Sequence, residues 1–353
     1  MARPSVVQGR RLKRWWLSSL IATAGLVTGG CGAAVGPHQA ALTNVTYAGV
    51  PASTITLPVF TAEALGYFRA AGLNVHVVGI QSGSAAVDAL VSGSVQFTLT
   101  TVPQIAALIP QGVHIKIVAN SFGLPSNVIL CRNSVAMPNA NKYPQVMSDF
   151  VGKTVGISSF GSLTDQLIRY SMTAAGLNPT SVHEVQLGTS GLIPAMDSGA
   201  VDCIVSYEPL TQELLSAGTA KPVLEYWHGV GPALFRHFTS ISTGASAAFI
   251  AAHPKEVRGF SKAIYEADKV DANPRNAAKL AKLLASDFPG IGFASLKAEI
   301  ADSAGQIEYF PGREEVSNSQ RLGLALGLEK VEEPYTSIVD VSVFASHYVG
   351  PGA

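Results

Sequence analysis

Ala70-Ala71-Gly72-Leu73-Asn74 recurs about a hundred residues later as Ala174-Ala175-Gly176-Leu177-Asn178, and this echo decides the fold. A second pair follows in the same order: Ala89-Leu90-Val91-Ser92-Gly93-Ser94-Val95 is answered by Ala195-Met196-Asp197-Ser198-Gly199-Ala200-Val201. One shared pentapeptide is weak. Two matches in the same order, with the same alternation of elements between them, indicate two α/β lobes of one design. Paired lobes with a cleft between them are a common way to enclose a small molecule.

Outward from the first echo, Val45 to Val50 reads as a strand. Pro58 to Ala71 reads as a helix, with Phe60, Ala64, Tyr67, Phe68 and Ala71 at helical spacing, and Gly72 ends it. A strand from Asn74 to Ile80 leads into Gln81-Ser82-Gly83-Ser84, where Ser84 is the expected N-cap of a helix to Ser92. Strand Val95 to Leu99, helix Pro103 to Pro110 and strand His114 to Asn120 follow. The second lobe repeats the scheme: strand Thr154 to Ser158, a turn Ser159 to Ser162, and a helix ending at Ala175. Strand Val182 to Leu187, helix Gly191 to Ser198, strand Val201 to Tyr207, a helix from Glu208-Pro209 and strand Pro222 to Tyr226 complete it. Near-continuously apolar strands alternating with helices imply mostly parallel sheets flanked by helices.

Two segments are expected to cross between lobes, residues 128–134 outward and 238–242 returning. Lobe one then comprises residues 44–127 and 243–353, and lobe two residues 135–237. The C-terminal part is helical, notably Ala247 to Ala272 and Asn276 to Ser286, and rejoins lobe one. Ile338-Val339-Asp340 and a last helix finish the chain. A two-segment lobe joined by two crossings is a hinge architecture.

The 353 residues suffice for two cores, with 47% hydrophobic and 14% charged residues. The formal net charge of zero conceals an asymmetry. Arg3, Arg10, Arg11, Lys13 and Arg14 precede residue 31 and no acid does, so the 24 bases and 24 acids of the chain leave 19 bases against 24 acids beyond that point. A mildly acidic body gives no reason to expect nucleic acid as partner. The first thirty residues read as an export signal: a basic region, then an uncharged run from Trp15 to Gly30, shorter than the roughly 20 residues a spanning helix needs. The run ends in Val27-Thr28-Gly29-Gly30-Cys31, which resembles a bacterial lipoprotein signal in which the cysteine is lipidated and becomes the new N-terminus. Thr28 stands where leucine is usual. Acyl chains on Cys31 would hold the protein at the membrane without a span, and the uncharged Gly, Ala and Pro stretch over residues 31–43 suits a tether. A plain secretory signal with an incidental cysteine is the other reading.

Cys131 and Cys203 fall in apolar strand-like runs. An exported protein can pair them, but the expectation is that each is a small buried hydrophobe in its own lobe. No His/Cys spacing suggests a zinc site or another metal, and nothing implies a cofactor.

The chain resembles the substrate-binding lipoproteins of bacterial ABC importers for nitrate, sulfonates, taurine and thiamine precursors, the NMT1/THI5-like family. The resemblance is carried by Ala64-Leu65-Gly66-Tyr67-Phe68 followed by Ala71-Gly72-Leu73-Asn74-Val75, and by Ser198-Gly199-Ala200-Val201-Asp202 running into Tyr207-Glu208-Pro209. The phrase from Ala247 through His253-Pro254 to Ala272-Asn273-Pro274 completes it. It spans about Val45 to Tyr348. It implies a two-lobed periplasmic-binding-protein fold of type II and a monomer that captures a small solute in the cleft. It further implies delivery of that solute to a membrane permease with its ATPase, on the extracytoplasmic side.

In open α/β sheets ligands collect outside the carboxyl ends of the strands. Those ends carry Ser53 and Thr54; Ser82, Gly83 and Ser84; Thr100 and Thr101; Ser159, Gly161 and Ser162; Thr189 and Ser190; and Tyr207 and Glu208. Several open into helices, whose free N–H groups suit an oxyanion. Singly, each loop has a plainer account, since Ser, Thr and Gly are ordinary cap and turn residues; as a set at the strand ends they are the candidate ligand contacts. No Arg or Lys stands in these turns, Lys153 lying before a strand. Helix ends contribute about 0.3–1 kcal/mol each, up to about 2 when partly buried, whereas micromolar affinity needs about 8 kcal/mol. Contacts from Phe160, Tyr207, Phe122 or Trp227 would have to add to them, which favours an organic solute over nitrate. Glu208 either accepts a bond from a ligand N–H or serves only to start its helix. Enzyme signatures are missing: neither Gly-x-Ser-x-Gly nor a P-loop occurs. Two alternatives stay open, a pyrimidine-biosynthesis enzyme on the same scaffold, which would use a cysteine-rich cluster, and a ligand-sensing lipoprotein.

Overall fold

The computed structural model describes residues 41–348. The chain first lays down β1 (Thr43–Gly49), β2 (Leu73–Gly79), β3 (Phe97–Thr100) and β4 (Ile115–Phe122). It continues with β5 (Asn127–Arg132), β6 (Thr154–Ile157), β7 (His183–Gln186), β8 (Cys203–Tyr207) and β9 (Ala220–Glu225), and returns with β10 (Ile241–Ser246). These form two five-stranded sheets of the same plan, ordered β2-β1-β3-β10-β4 and β7-β6-β8-β5-β9. In each, the first three strands are parallel and one antiparallel strand is inserted. The inserted strand is the one delivered by the crossover: β5 follows β4 into the second sheet, and β10 follows β9 back into the first. The fold is thus α/β with two lobes.

The sequence echo has a backbone cause. Gly72 and Gly176 sit at φ +79° and +77°, and Gly93 and Gly199 both at +76°. Each ends a helix in the left-handed conformation that residues with a Cβ avoid, turning the chain toward the next strand.

The structure moves several expected boundaries. The helix expected over Pro58 to Ala71 is broken into Leu57–Ala64 and Tyr67–Ala70, because Gly66 between them is left-handed, φ +75°. Residues 128–132 of the expected outward crossing are an interior strand, β5, paired with both β8 and β9. The chain instead crosses between β4 and β5, and returns just before β10. There the two crossings touch, with Ser240 Oγ donating to the carbonyl of Leu124 at 2.8 Å. Cys131 and Cys203 are joined by a disulfide rather than lying apart. They are directly opposed in the β5–β8 register, a neighbourhood that a sequence separation of 72 conceals.

The first lobe is closed by chain that has visited the second. The 18-residue helix Pro254–Asp271 buries Val257, Phe260, Ile264 and Ala267 at i, i+3, i+4 spacing. Phe260 lies 3.9 Å from the ring of Phe97, and Phe68 and Tyr47 stack around it. Among the described residues no helix is long and apolar enough to cross a membrane. The expected signal segment and Cys31 lie outside the described residues, as does most of the tether.

Candidate functional site

The carboxyl ends of the strands in the two lobes face each other across a partly open cavity of about 40 Å³, counted as space for the centre of a water-sized sphere. One water needs roughly 10–15 Å³ on this measure, so the space suits a small solute group or a few waters. From the first lobe come Val50, Ile55, Ser82, Gly83, Leu99, Thr101, Gln104 and Ile241; from the second, Asn127, Ser158, Ser162, Leu163, Thr164 and Tyr207. No carboxylate, lysine, arginine or histidine is among them.

Two helices open beside it, one per lobe. Gly83–Val91 is capped by Ser82, whose hydroxyl accepts from the Ala85 amide at 3.2 Å. The cap expected at Ser84 therefore lies two residues earlier, since Ser84 is already in the first turn. Leu163–Ala174 begins after Ser162, whose hydroxyl makes no cap bond but donates to the Ser159 carbonyl at 2.7 Å. Ser158, Ser162 and Thr164 form a hydroxyl cluster with 2.8–3.0 Å spacings. The first-turn amides of both helices have no intrahelical carbonyl to reach.

Of the candidate residues, Ser82, Gly83, Thr101, Ser162 and Tyr207 line the cavity. Most of the others make the seam between lobes. Ser53 Oγ donates to the Glu208 carbonyl at 2.6 Å. Ser84 Oγ donates to the Phe160 carbonyl at 2.9 Å and accepts from Ser159 Oγ at 3.1 Å. The Thr189 amide and hydroxyl both donate to the Gln81 carbonyl, and the Ser190 amide to Gln81 Oε1 at 3.3 Å. Gly161, at φ +75°, lies on the same seam: a Cβ there would stand 3.7 Å from Ser84 Oγ. Thr54 is buried in the short helical turn that Ser53 caps, and Thr100 is buried against Gln104. The seam is therefore closed by uncharged donors and acceptors, each contributing roughly 0.5–1.5 kcal/mol.

Tyr207 shares a 2.7 Å bond with Thr189, and burial pushes its phenol up to about 12. Glu208 is pushed up to about 7 by burial, against the Gln212 amide that its carboxylate accepts, 3.1 Å away. That bond is what a helix-starting carboxylate makes. The aromatic candidates divide: Tyr207 lines the cavity, Phe122 is buried, Phe160 is 55% exposed, and Trp227 stacks on His228. Sequence reasoning missed Asn127 and Gln104 and the apolar walls. Asn127 lay just before a segment read as a crossing, and apolar wall residues carry no signature that separates them from core.

Away from the cleft, His237, Glu314 and Glu315 bring ligand atoms within 4.8 Å of one another. The two glutamates stand in the first turn of the helix Arg313–Ala325, where carboxylates offset the exposed amides.

Residues 53–277 match the sequence profile of the NMT1/THI5 like family. The chain belongs to that family. No curated protein matches it in sequence. Among solved structures it is similar to the periplasmic nitrate-binding protein NrtA from Synechocystis PCC 6803, at 16% identity and a TM-score of 0.67, over 86% of this chain and 88% of that one. It is also similar to the alkanesulfonate-binding protein SsuA from Xanthomonas axonopodis pv. citri bound to MOPS, at 17% identity and a TM-score of 0.66, over 86% of this chain and 97% of that one. The desulfurization enzyme DSZB shares the fold at 16% identity and a TM-score of 0.57, over 87% of this chain and all of that one. At these identities the likeness establishes the two-lobed fold.

Proposed function

We propose that this family member is the solute-binding component of an ABC importer, which captures a small polar organic solute between its lobes and presents the closed form to a permease. The observation that carries this reading is the cavity itself: lined by both lobes, walled by apolar side chains, and furnished with hydroxyls, two side-chain amides and two helix N-termini. The similar nitrate- and sulfonate-binding proteins support it. The enzyme alternative lacks its groups at this place. Both described cysteines are tied in a disulfide, and the lining offers no acid, histidine or thiol to move a proton or attack a substrate.

Calorimetry against nitrate, alkanesulfonates, taurine and aminopyrimidines tests the reading. One-to-one binding of an organic member, weakened by Ser82→Ala or Ser162→Ala, is the expected result; affinity unchanged in both variants would place the solute elsewhere. Anchoring through Cys31 belongs to the same proposal. Mass spectrometry of membrane-derived protein should find a diacylated Cys31 at the N-terminus, and a soluble product starting elsewhere would refute it.

A further inference from the structure

Asn127 opens β5 on the wall of the cavity and is 2% exposed. Its Nδ2 donates to the carbonyl oxygen of Ser206 at 3.2 Å. A carbonyl only accepts, so this bond fixes which end of the side-chain amide is nitrogen. Oδ1 is therefore an acceptor, it is buried, and no donor of the described protein reaches it. Native structures leave few buried acceptors without a donor, because the lost hydration is not recovered. Asn127 is part of the cavity wall, so a solute group that moves in beside it is one source of the missing donor.

The rest of the lining points the same way. The other polar groups around the cavity are the Gln104 amide, hydroxyls and helix-start amides, all of which can donate to an acceptor. No cationic side chain stands by to neutralise a full negative charge. A bare oxyanion would turn lone pairs toward Asn127 Oδ1 and leave the mismatch in place.

We propose that Asn127 is a specificity-determining residue, selecting solutes that carry an N–H or O–H group at the end facing β5 over solutes whose buried end is a bare oxyanion. The ligand class is a small molecule with an acceptor at one end and a donor at the other, slender enough to lie between Ile55, Leu99 and Leu163. This rests on the solute-binding reading of the cleft and assigns its selectivity.

The test is calorimetry on the full chain with matched solute pairs that differ in the donor: methanesulfonate against methanesulfonamide, ethanesulfonate against taurine, and pyrimidine against 4-aminopyrimidine. The donor-bearing member of at least one pair should bind tenfold or more tightly than its partner. Asn127→Leu, which removes the acceptor at similar volume, should shrink that preference to under twofold, and Asn127→Asp, which keeps an acceptor, should retain it. Equal or tighter binding of the donor-free member in every pair that binds would overturn the assignment alone. A preference that survives Asn127→Leu would do the same, and would mean that a water satisfies Oδ1. If Asn127→Leu does not fold, Asn127→Ala, which also removes the acceptor, takes its place with the same expectation. Binding of none of the six solutes would contradict the solute-binding reading itself, and this assignment with it.

Discussion

The amide and the hydroxyl of Thr189 both end on one atom, the carbonyl oxygen of Gln81, at 2.9 and 3.0 Å. Thr189 opens a helix of the second lobe and Gln81 follows β2 in the first, so this pair of bonds is a latch across the cleft. The Thr189 hydroxyl also meets Tyr207, which lines the cavity. The contact between the lobes and the cavity wall thus share one side chain.

Thr189→Val keeps the shape of the side chain and removes the hydroxyl bonds, while the amide bond to Gln81 survives. Losing about 0.5–1.5 kcal/mol from the closed form lowers its population relative to the open form by roughly two- to tenfold. Solute affinity should fall by the same factor, with thermal stability of the ligand-free protein nearly unchanged. Calorimetry and a melting curve check the two halves of that expectation. Unchanged affinity would show that the latch does not bias closure.

The disulfide gives a second expectation. Cys131 and Cys203 are joined within the second lobe at a sequence separation of 72, and cross-linking a loop of that length constrains the unfolded chain by about 4 kcal/mol in the chain-entropy account. Paired replacement of both cysteines by alanine should lower unfolding stability by about 2–4 kcal/mol in denaturant titrations. A wild-type protein insensitive to reductant in its unfolding midpoint would contradict this.

The buried carboxyls predict a fold that is more stable in mild acid. Burial pushes Asp271 up to about 7 and Glu299, Glu329 and Glu184 to about 8, with neighbouring carboxylates adding to the shift of the glutamates. Asp268, wholly buried beside Asp271 on the helix Pro254–Asp271, is raised well above the ordinary range by burial and by the Asp271 carboxyl, with the Ser121 side chain opposing the shift. Each of these groups holds its proton to a higher pH when folded than the ordinary value near 4. The folded chain therefore binds more protons between about pH 4 and 8, and stability is lost as pH rises through that window. The melting temperature should be several degrees higher at pH 5 than at pH 8, and Asp268→Asn should flatten the difference. A melting temperature that climbs toward pH 8 would show that these carboxyls find cations.

The echo around Gly72 and Gly176 made the architecture legible, because a left-handed helix end admits few residues and two such ends at matching places betray a duplicated plan. The strand ends were legible for a related reason: a run of apolar residues stopping at Ser, Thr or Gly is a chain leaving the sheet. What stayed hidden depends on partners distant in sequence. β5 and the crossing before it read alike, since an inserted antiparallel strand is as apolar as its neighbours. The cysteine pair required knowing that β5 lies beside β8. Ser82 and Ser84 flank one glycine, and local sequence does not separate a cap from a first-turn residue that reaches across to Phe160. Asn127 gives no sign of its unpaired oxygen until its nitrogen is seen on Ser206.

The most direct test of the central claim is small-angle X-ray scattering of the full chain, free and saturated with the panel solute that calorimetry finds tightest. Capture between hinged lobes predicts a smaller radius of gyration in the saturated protein, as the ligand draws the population toward the closed form held by Thr189 and Gln81. A radius of gyration unchanged at saturation, for a solute shown to bind, would contradict closure of the cleft around its ligand.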